Sequence, residues 1–380
     1  MLNLMNSNIA IIAFALCLIL GLVGIRIAPH LGLLDIPGGR RQHHGLIPKV
    51  GGLALITSLI ILSFRHDYRL PFTPLETSAV AAMSILGFLD DRIELRARWK
   101  AALGLLLAVV LATGATHHLA PSLVPYQVLG FTVPPIPWLA FSLLVLLFWC
   151  IPQALNLIDG SNGLATGFAL VVLGSLWGMG SKHPALAGAL MACLVLNWPK
   201  ARLFLGDCGS LSIGLILAIF AQKSMAMPHP HHMMWLFAYP IIDVLTVVII
   251  RTVTHQPVSV GDRNHLHYQI IDRWPRLSAF SVPILLCIAA MCGSEIYLGR
   301  SSMLVPYTGL SLLLCISFFF IASKVIPALV PGLAAETTPV AVAINPDEHP
   351  EPRRDRRASD WTKKATALNL LAILVSSIRK

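Results

Sequence analysis

Asp90, Asp91, Asp159, Asp207 and the histidines at 265 and 267 stand where an otherwise apolar chain turns polar. Five blocks carry them, at residues 35–52, 90–100, 156–164, 204–210 and 262–268. Together they offer carboxylates, amides, tight glycines and cations, the inventory needed to hold a metal ion and a diphosphate. Ionisable groups are costly beside hydrocarbon, so their clustering points to function.

Adjacent carboxylates repel, so Asp90 and Asp91 need cations or a metal close by, and Arg92, Arg96, Arg98 and Lys100 follow at once. Taken alone, this block reads equally well as a charged loop anchoring a helix end. Asp207, in FLGDCGS, tips the balance. Gly206 and Gly209 permit a tight turn beside a ligand, Ser210 is placed to cap the next helix, and a helix N-terminus with free N–H groups is a phosphate site. Mg2+ takes one or two carboxylates plus substrate phosphates; Asp90, Asp91, Asp159 and Asp207 are the candidates. In NLIDGSNGL polar groups recur three residues apart, so Asn156, Asp159 and Asn162 are expected on one side of a helix end, able to read a sugar or a base. A plain turn is the alternative, since Asp-Gly and Asn-Gly are turn signals. His265 and His267 are two apart, which is not the spacing of a helical metal pair. Beside Arg263 they suit phosphate contact, with the guanidinium as a fork-shaped clamp. Arg40, Arg41, His43, His44 and Lys49 make a second basic patch suited to an anionic head group.

The elements that must position these groups are membrane spans. Hydrophobic residues make up 56% of the 380 and charged residues only 12%, with mean hydropathy +0.74. The first apolar run, residues 8–27, is about 20 residues long, enough to cross the bilayer as an uncleaved helix. Apolar runs near 8–28, 50–64, 78–89, 101–119, 138–151, 163–180, 184–197, 210–222, 233–250, 278–298 and 304–326 predict an all-α polytopic membrane protein of about eleven transmembrane helices. With the N-terminus outside, 23 of the 28 lysines and arginines fall on the cytoplasmic side, and this excess sets the orientation. All five polar blocks and the C-terminus are then cytoplasmic. The outer loop 120–137 is uncharged and offers little chemistry. The seven scattered cysteines form no CxxC pair, so neither a disulfide framework nor a zinc site is expected, and Cys208 alone is placed to face a polar site. A net charge of +10 divided among spans argues against nucleic acid as a partner. The expected division is a transmembrane catalytic domain at 1–330 and a cytoplasmic tail at 331–380. That tail is solvated and flexible, and its apolar stretch 365–378 suits a helix lying on an anionic membrane surface.

Read in order and on one face, the blocks resemble the polyprenyl-phosphate N-acetylhexosamine-1-phosphate transferases of glycosyltransferase family 4, of the WecA/TagO type within the MraY superfamily. The strings that carry the likeness are GLLDIPGGRRQHHGLIPKVGG (32–52), FLDDRIELRARWK (88–100), NLIDGSNGLATG (156–167), NWPKARLFLGDCGS (197–210), YPIIDVLTVVIIR (239–251) and DRNHLHYQI (262–270). Two departures are Asn162, where the family commonly has Asp, and Tyr268, where its histidine block often ends in a second His.

The resemblance implies transfer of a sugar 1-phosphate from a UDP-N-acetylhexosamine, with UDP-GlcNAc first, to undecaprenyl or another polyprenyl phosphate. UMP leaves, and the step starts a cell-envelope polysaccharide in the bacterial cytoplasmic membrane. It implies Mg2+, or Mn2+ in its place, on Asp207 and Asp91; catalytic roles for Asp90, Asp91 and Asp159; and substrate contacts from Asn156, Asn162, Phe204, Arg263, His265, His267, Arg40 and His43. Phe204 matches a position that stacks on uracil in the MraY relatives. A homodimer is compatible with the sequence. The alternatives are a phospho-MurNAc-pentapeptide transferase and a membrane transporter. A transporter would place its polar residues near mid-membrane rather than at one interface. Cysteine labelling from either side of the membrane is expected to put residue 263 on the same face as residues 96 and 202; labelling from the opposite face would dismantle the single-face site.

Overall fold

A computed structural model of the protein describes residues 2–37, 45–65, 68, 70–119, 126–128, 131–133, 137–178, 180–224, 237–257, 263–273 and 321. In chain order the elements are α1 (Leu2–Leu31), β1 (Leu34–Asp35), β2 (Ile47–Pro48), α2 (Gly51–Ser63), α3 (Pro74–Ile93), α4 (Ala97–Leu119), β3 (Tyr126–Val128) and β4 (Phe131–Val133). They continue as α5 (Pro137–Ile158), α6 (Leu164–Gly178), α7 (Pro184–Asn197), α8 (Gly206–Ser224), α9 (Ala238–Val253) and α10 (Leu266–Arg273). Segments 8–31, 97–115 and 138–158 are long and apolar enough to cross a membrane, and α2, α6 and α7 are shorter apolar helices. The protein is a mostly helical membrane protein.

Helix α8 sits at the centre. It is apolar around its whole circumference, the mark of a helix buried on all sides, and Leu211, Ile213 and every residue from Leu215 to Ala221 are buried. Helices α2, α3, α5 and α6 pack around it, while α1 packs on α7 and α4 on α5. Association inside a bilayer relies on close van der Waals contact, because lipid is as apolar as leucine, and small residues permit that contact. A Cβ on Gly52 would run into the backbone of Gly209, and one on Gly87 into the backbone of Asp207 and Cys208. Ser84 and Ser212 meet across the α3–α8 contact at 2.8 Å. Thus α2 and α3 both lie directly against the first turn of α8, the turn that carries Asp207.

Helix ends are set by local chemistry. Thr73 and Glu76 form a reciprocal capping box at the start of α3, with Pro74 in its first turn. Glu76 also pairs with Lys223 at the far end of α8, 2.7 Å away. Strands β1 and β2 pair antiparallel, Leu34 with Pro48 and Asp35 with Ile47, which delivers Lys49 to the start of α2.

The structure departs from the sequence expectation in three places. The chain is not purely helical, for among the described residues two short strand pairs occur, β1–β2 and β3–β4. The second lies in the loop 120–137. Helices also run beyond the apolar stretches: α3 includes Asp90 and Asp91, and α4 begins before Lys100, because those charges satisfy one another across helices and need not unwind. Finally, α8 begins at Gly206, so Ser210 lies inside the helix and is not its cap. The runs at 278–298 and 304–326 (residue 321 apart), the tail at 331–380 with its stretch 365–378, and Arg40 and His43 lie outside the described residues.

The contact at Gly52 gives a direct test. Gly52→Ala is expected to destabilise the protein by about 1–3 kcal/mol, since its methyl meets backbone that cannot swing aside. Gly174→Ala, at a helical position with nothing within 4 Å of the added carbon, is expected to be neutral or stabilising by up to about 1 kcal/mol. Thermal unfolding in detergent reads both.

Candidate functional site

Asp90, Asp91 and Asp207 come together where the end of α3 meets the start of α8. Lys100, from the first turn of α4, reaches between two of them: its Nζ lies 3.0 Å from Asp90 Oδ2 and 2.5 Å from Asp207 Oδ2. Asp90 Oδ1 accepts the Leu95 backbone N–H at 2.8 Å, which folds the α3–α4 connection around the carboxylate. Asn156, in the last turn of α5, donates to Ser210 Oγ at 2.8 Å, in the same first stretch of α8 as Asp207. Three helices, α3, α4 and α5, therefore meet the start of α8.

Asp91 has a different task. Its Oδ1 accepts the backbone N–H of Asp207 at 3.0 Å and its Oδ2 that of Cys208 at 2.9 Å. The opening N–H groups of a helix have no partner within it, and a carboxylate there is favoured by the helix dipole. Asp91 is thus the cap of α8, supplied from another helix. Gly206 makes this possible: its φ of 73° suits glycine, and a Cβ there would sit 2.6 Å from Asp91 Oδ2. Lys49 completes the arrangement, donating to the Asp91 carbonyl at 2.6 Å and standing 3.6 Å from its carboxylate.

Two expectations change as a result. The N–H groups of Asp207 and Cys208 are occupied by Asp91 and are not an open phosphate cradle. The carboxylate that shares a cation with Asp207 is Asp90, not Asp91, because both Asp91 oxygens are engaged with the helix backbone. Among the described residues no group of three or more His, Cys, Asp or Glu side chains is arranged to hold a metal ion. A divalent ion here would depend on two carboxylates and on phosphates from substrate, the mode typical of Mg2+.

The 156–164 block leaves α5 after Ile158 and turns. Burial pushes the Asp159 carboxyl well above the usual carboxylate range, and the charges of Asp207 and Asp91 push the same way. Asn162 does not share a face with Asn156; its Nδ2 donates to the Pro199 carbonyl at 3.1 Å. The turn is held by Asn197, whose Oδ1 accepts Gly163 N–H at 2.5 Å and whose Nδ2 donates to Leu203 O at 2.9 Å. Phe204 follows, half-buried, its N–H on Pro48 O and its carbonyl on Gly51 N–H.

The histidine block closes over this turn. His265 is buried with Nδ1 2.7 Å from Asp243 Oδ2. His267 is buried too, and among the described residues neither ring nitrogen has a hydrogen-bond partner; burial lowers its pKa to about 4, so the ring is neutral at pH 7. A Cβ on Gly160 would lie 2.6 Å from His267 Nε2 and would strike the Tyr268 hydroxyl. Arg263, expected as a diphosphate clamp, is engaged within its own segment in this structure. Its Nη2 is 2.5 Å from Asp272 Oδ1 and its guanidinium lies over the Tyr268 ring at 4.5 Å, because Tyr268 and Asp272 share one side of α10. Sequence reasoning missed Lys100 as the bridge, Asn197 as the crosspiece and Asp243 as the histidine's partner. Asp243 left a signal, a lone carboxylate inside an apolar helix.

Asp90 and Asp91 are accordingly expected to differ in kind. Asp91→Ala strips two backbone donors of their acceptor, at about 1–3 kcal/mol for each buried one, and lowers the unfolding temperature in detergent. Asp90→Ala lowers it less.

Part of the chain is similar to a known family, and most of it to named proteins. Residues 75–225 match Glycosyl transferase family 4. The chain is 28% identical to the probable undecaprenyl-phosphate N-acetylglucosaminyl 1-phosphate transferase of Bacillus subtilis (strain 168), over 82% of this chain and 88% of that protein. It is 25% identical to the undecaprenyl-phosphate alpha-N-acetylglucosaminyl 1-phosphate transferase of Escherichia coli (strain K12), over 77% and 84%, and 26% identical to the enzyme of the same name from Yersinia pestis, over 66% and 72%. The matched residues 75–225 run from α3 through α8, the helices that carry Asp90, Lys100, Asn156 and Asp207.

Proposed function

We propose that the protein transfers N-acetylhexosamine 1-phosphate from a UDP-sugar, UDP-N-acetylglucosamine before others, to the phosphate of a polyprenyl lipid such as undecaprenyl phosphate. UMP is the other product, and the lipid-linked sugar starts a cell-envelope polysaccharide at the bacterial cytoplasmic membrane. The observation that carries this reading is the convergence of Asp90, Lys100, Asn156 and Asp207 at the ends of apolar helices, where a membrane lipid's phosphate and a soluble nucleotide can meet. The names of the relatives support the same reaction.

An oxygen of the lipid phosphate attacks the phosphorus that bears the sugar. A new P–O bond forms, the bond from that phosphorus to the bridging oxygen breaks, and the electron pair leaves with UMP. A phosphate monoester is already largely ionised at neutral pH, its second pKa being about 6. Little is gained from a base, and the barrier falls chiefly through positioning and neutralisation of charge. On this reading Asp90 holds Lys100 and the α3–α4 turn in place and does not abstract a proton. Lys49 and Lys100 supply positive charge beside the diphosphate. The neutral, buried His267 has both nitrogens available to substrate, next to the Asp159–Gly160 turn, and Phe204 offers a half-buried ring for the base.

Mg2+, or Mn2+, fits the donor set, for Asp90 and Asp207 already share one cation, the Lys100 ammonium. When bound, such an ion would neutralise the diphosphate and the leaving UMP. Purified protein given Mg2+, undecaprenyl phosphate and a panel of UDP-sugars is expected to release UMP fastest from UDP-GlcNAc. Asp207→Asn is expected to lower turnover by at least about 10²-fold, the scale on which lost electrostatic stabilisation is felt, with its unfolding temperature near that of wild type. Most of the activity surviving in that variant would remove Asp207 from the site.

A further inference from the structure

Asp243 is fully buried in α9, a mostly apolar helix, and no substrate contact is assigned to it above. A carboxylate inside such a helix is destabilising unless both oxygens find partners. Asp243 finds them on one short segment: Oδ2 faces His265 Nδ1 at 2.7 Å, and Oδ1 accepts the backbone N–H of Leu266, the first residue of α10, at 2.5 Å. One side chain therefore caps α10 and fixes the ring that precedes it. From His265 the contact passes on. Its ring stacks against His267 with centroids 5.6 Å apart, His267 lies 4.2 Å from the Tyr268 ring, and both approach Gly160.

We propose that Asp243 is a positioning residue that sets the tautomer and orientation of His265, and through it the histidine face closing on the Asp159–Gly160 turn. The proposal rests on the transfer reaction inferred above for its kinetic consequence, but not for its structural one. A carboxylate only accepts hydrogen bonds, so His265 must carry a proton on Nδ1, and in the neutral ring Nε2 is left with a lone pair for a substrate hydroxyl or a bound water. The hydrogen bond made by one ring nitrogen decides the state of the other. Asn at position 243 has nearly the same shape but one acceptor atom. Leu266 N–H claims that oxygen, the amide N–H2 then faces the imidazole, and His265 is driven to the opposite tautomer with its proton on Nε2. The fold is retained and the chemistry offered to substrate is inverted.

The test uses full-length protein in detergent with 15N-labelled histidine, the His265 signals being identified by their loss in His265→Gln. Wild type is expected to show a pyrrole-type Nδ1 and a pyridine-type Nε2, and Asp243→Asn the reverse. A wild-type His265 protonated on Nε2 alone, or the same tautomer in both proteins, overturns the proposal. The wild-type spectrum decides even where the variant does not accumulate. In the kinetic arm, kcat/KM for UMP release is expected to fall about 10–100-fold in Asp243→Asn, the usual scale for the loss of a group that orients another. His265→Gln is expected to fall at least as far, and the double variant no further than His265→Gln alone. Losses that multiply in the double variant would mean that Asp243 acts independently of His265, and would overturn the proposal. Should wild type release UMP from no UDP-sugar, the reaction is wrong while the tautomer readout still judges the pair.

Discussion

Three carboxylates brought to one point among apolar helices repel one another, and the structure depends on how that repulsion is offset. Like charges in close proximity cannot all remain ionised without compensation. Lys100 supplies one cation between Asp90 and Asp207, and Lys49 stands against Asp91. The N-terminal dipole of α8 supplies a further partial positive charge, through the two backbone N–H groups that Asp91 accepts. The cluster is held together by its own electrostatics, and it draws α2, α3, α4, α5 and α8 to a common end. Because Lys100 is a single charge between two carboxylates, negative charge remains in excess, and a divalent ion with substrate phosphates would answer it.

The packing is what allows those charges to approach. Helix α8 must lie with its first turn against both α2 and α3, and side-chain-free surfaces at Gly52, Gly87 and Gly209 let the backbones touch there. A methyl group at these positions would push Asp207 away from Lys100. Stability and chemistry are joined in the same turn of helix. Asp91 is the clearest case: adjacent in sequence to Asp90 and identical in type, it is part of the scaffold while its neighbour faces the shared cation.

Much of this was legible in the chain, for reasons that particular residues make clear. Carboxylates in a strongly apolar sequence are few, so Asp90, Asp91, Asp159 and Asp207 could be singled out by the penalty they carry, and the helices around them by their hydrophobic length. Their pairings were not legible. Lys100 reaches Asp207 across 107 residues and Asp91 reaches Cys208 across 117, and no local pattern states which of four nearby cations will bridge or which of two adjacent aspartates will cap. Ser210 was misplaced for a related reason. Ser is a good cap by propensity, but Asp91 supplies the cap from another helix and frees the chain to begin α8 four residues earlier. Arg263 was assigned to phosphate because a fork-shaped cation suits it, whereas Asp272 and Tyr268, on one side of α10, already occupy that fork.

Asp91 and Asp243 solve the same problem at two helices. Each is a buried carboxylate borrowed from a neighbouring element to satisfy free N–H groups at the start of a helix, α8 in one case and α10 in the other. Each also places its segment's functional groups, Asp207 beside Asp91 and the histidines beside Asp243. A cap supplied from the segment itself would leave that segment free to shift as a unit, since local hydrogen bonds survive a rigid movement. A cap supplied from another helix fixes one helix start relative to the rest of the bundle to within a hydrogen bond's tolerance, a few tenths of an ångström. For a reaction governed by positioning and charge, that tolerance matters more than the identity of any single base, and it accounts for carboxylates being kept at sites where burial makes them costly.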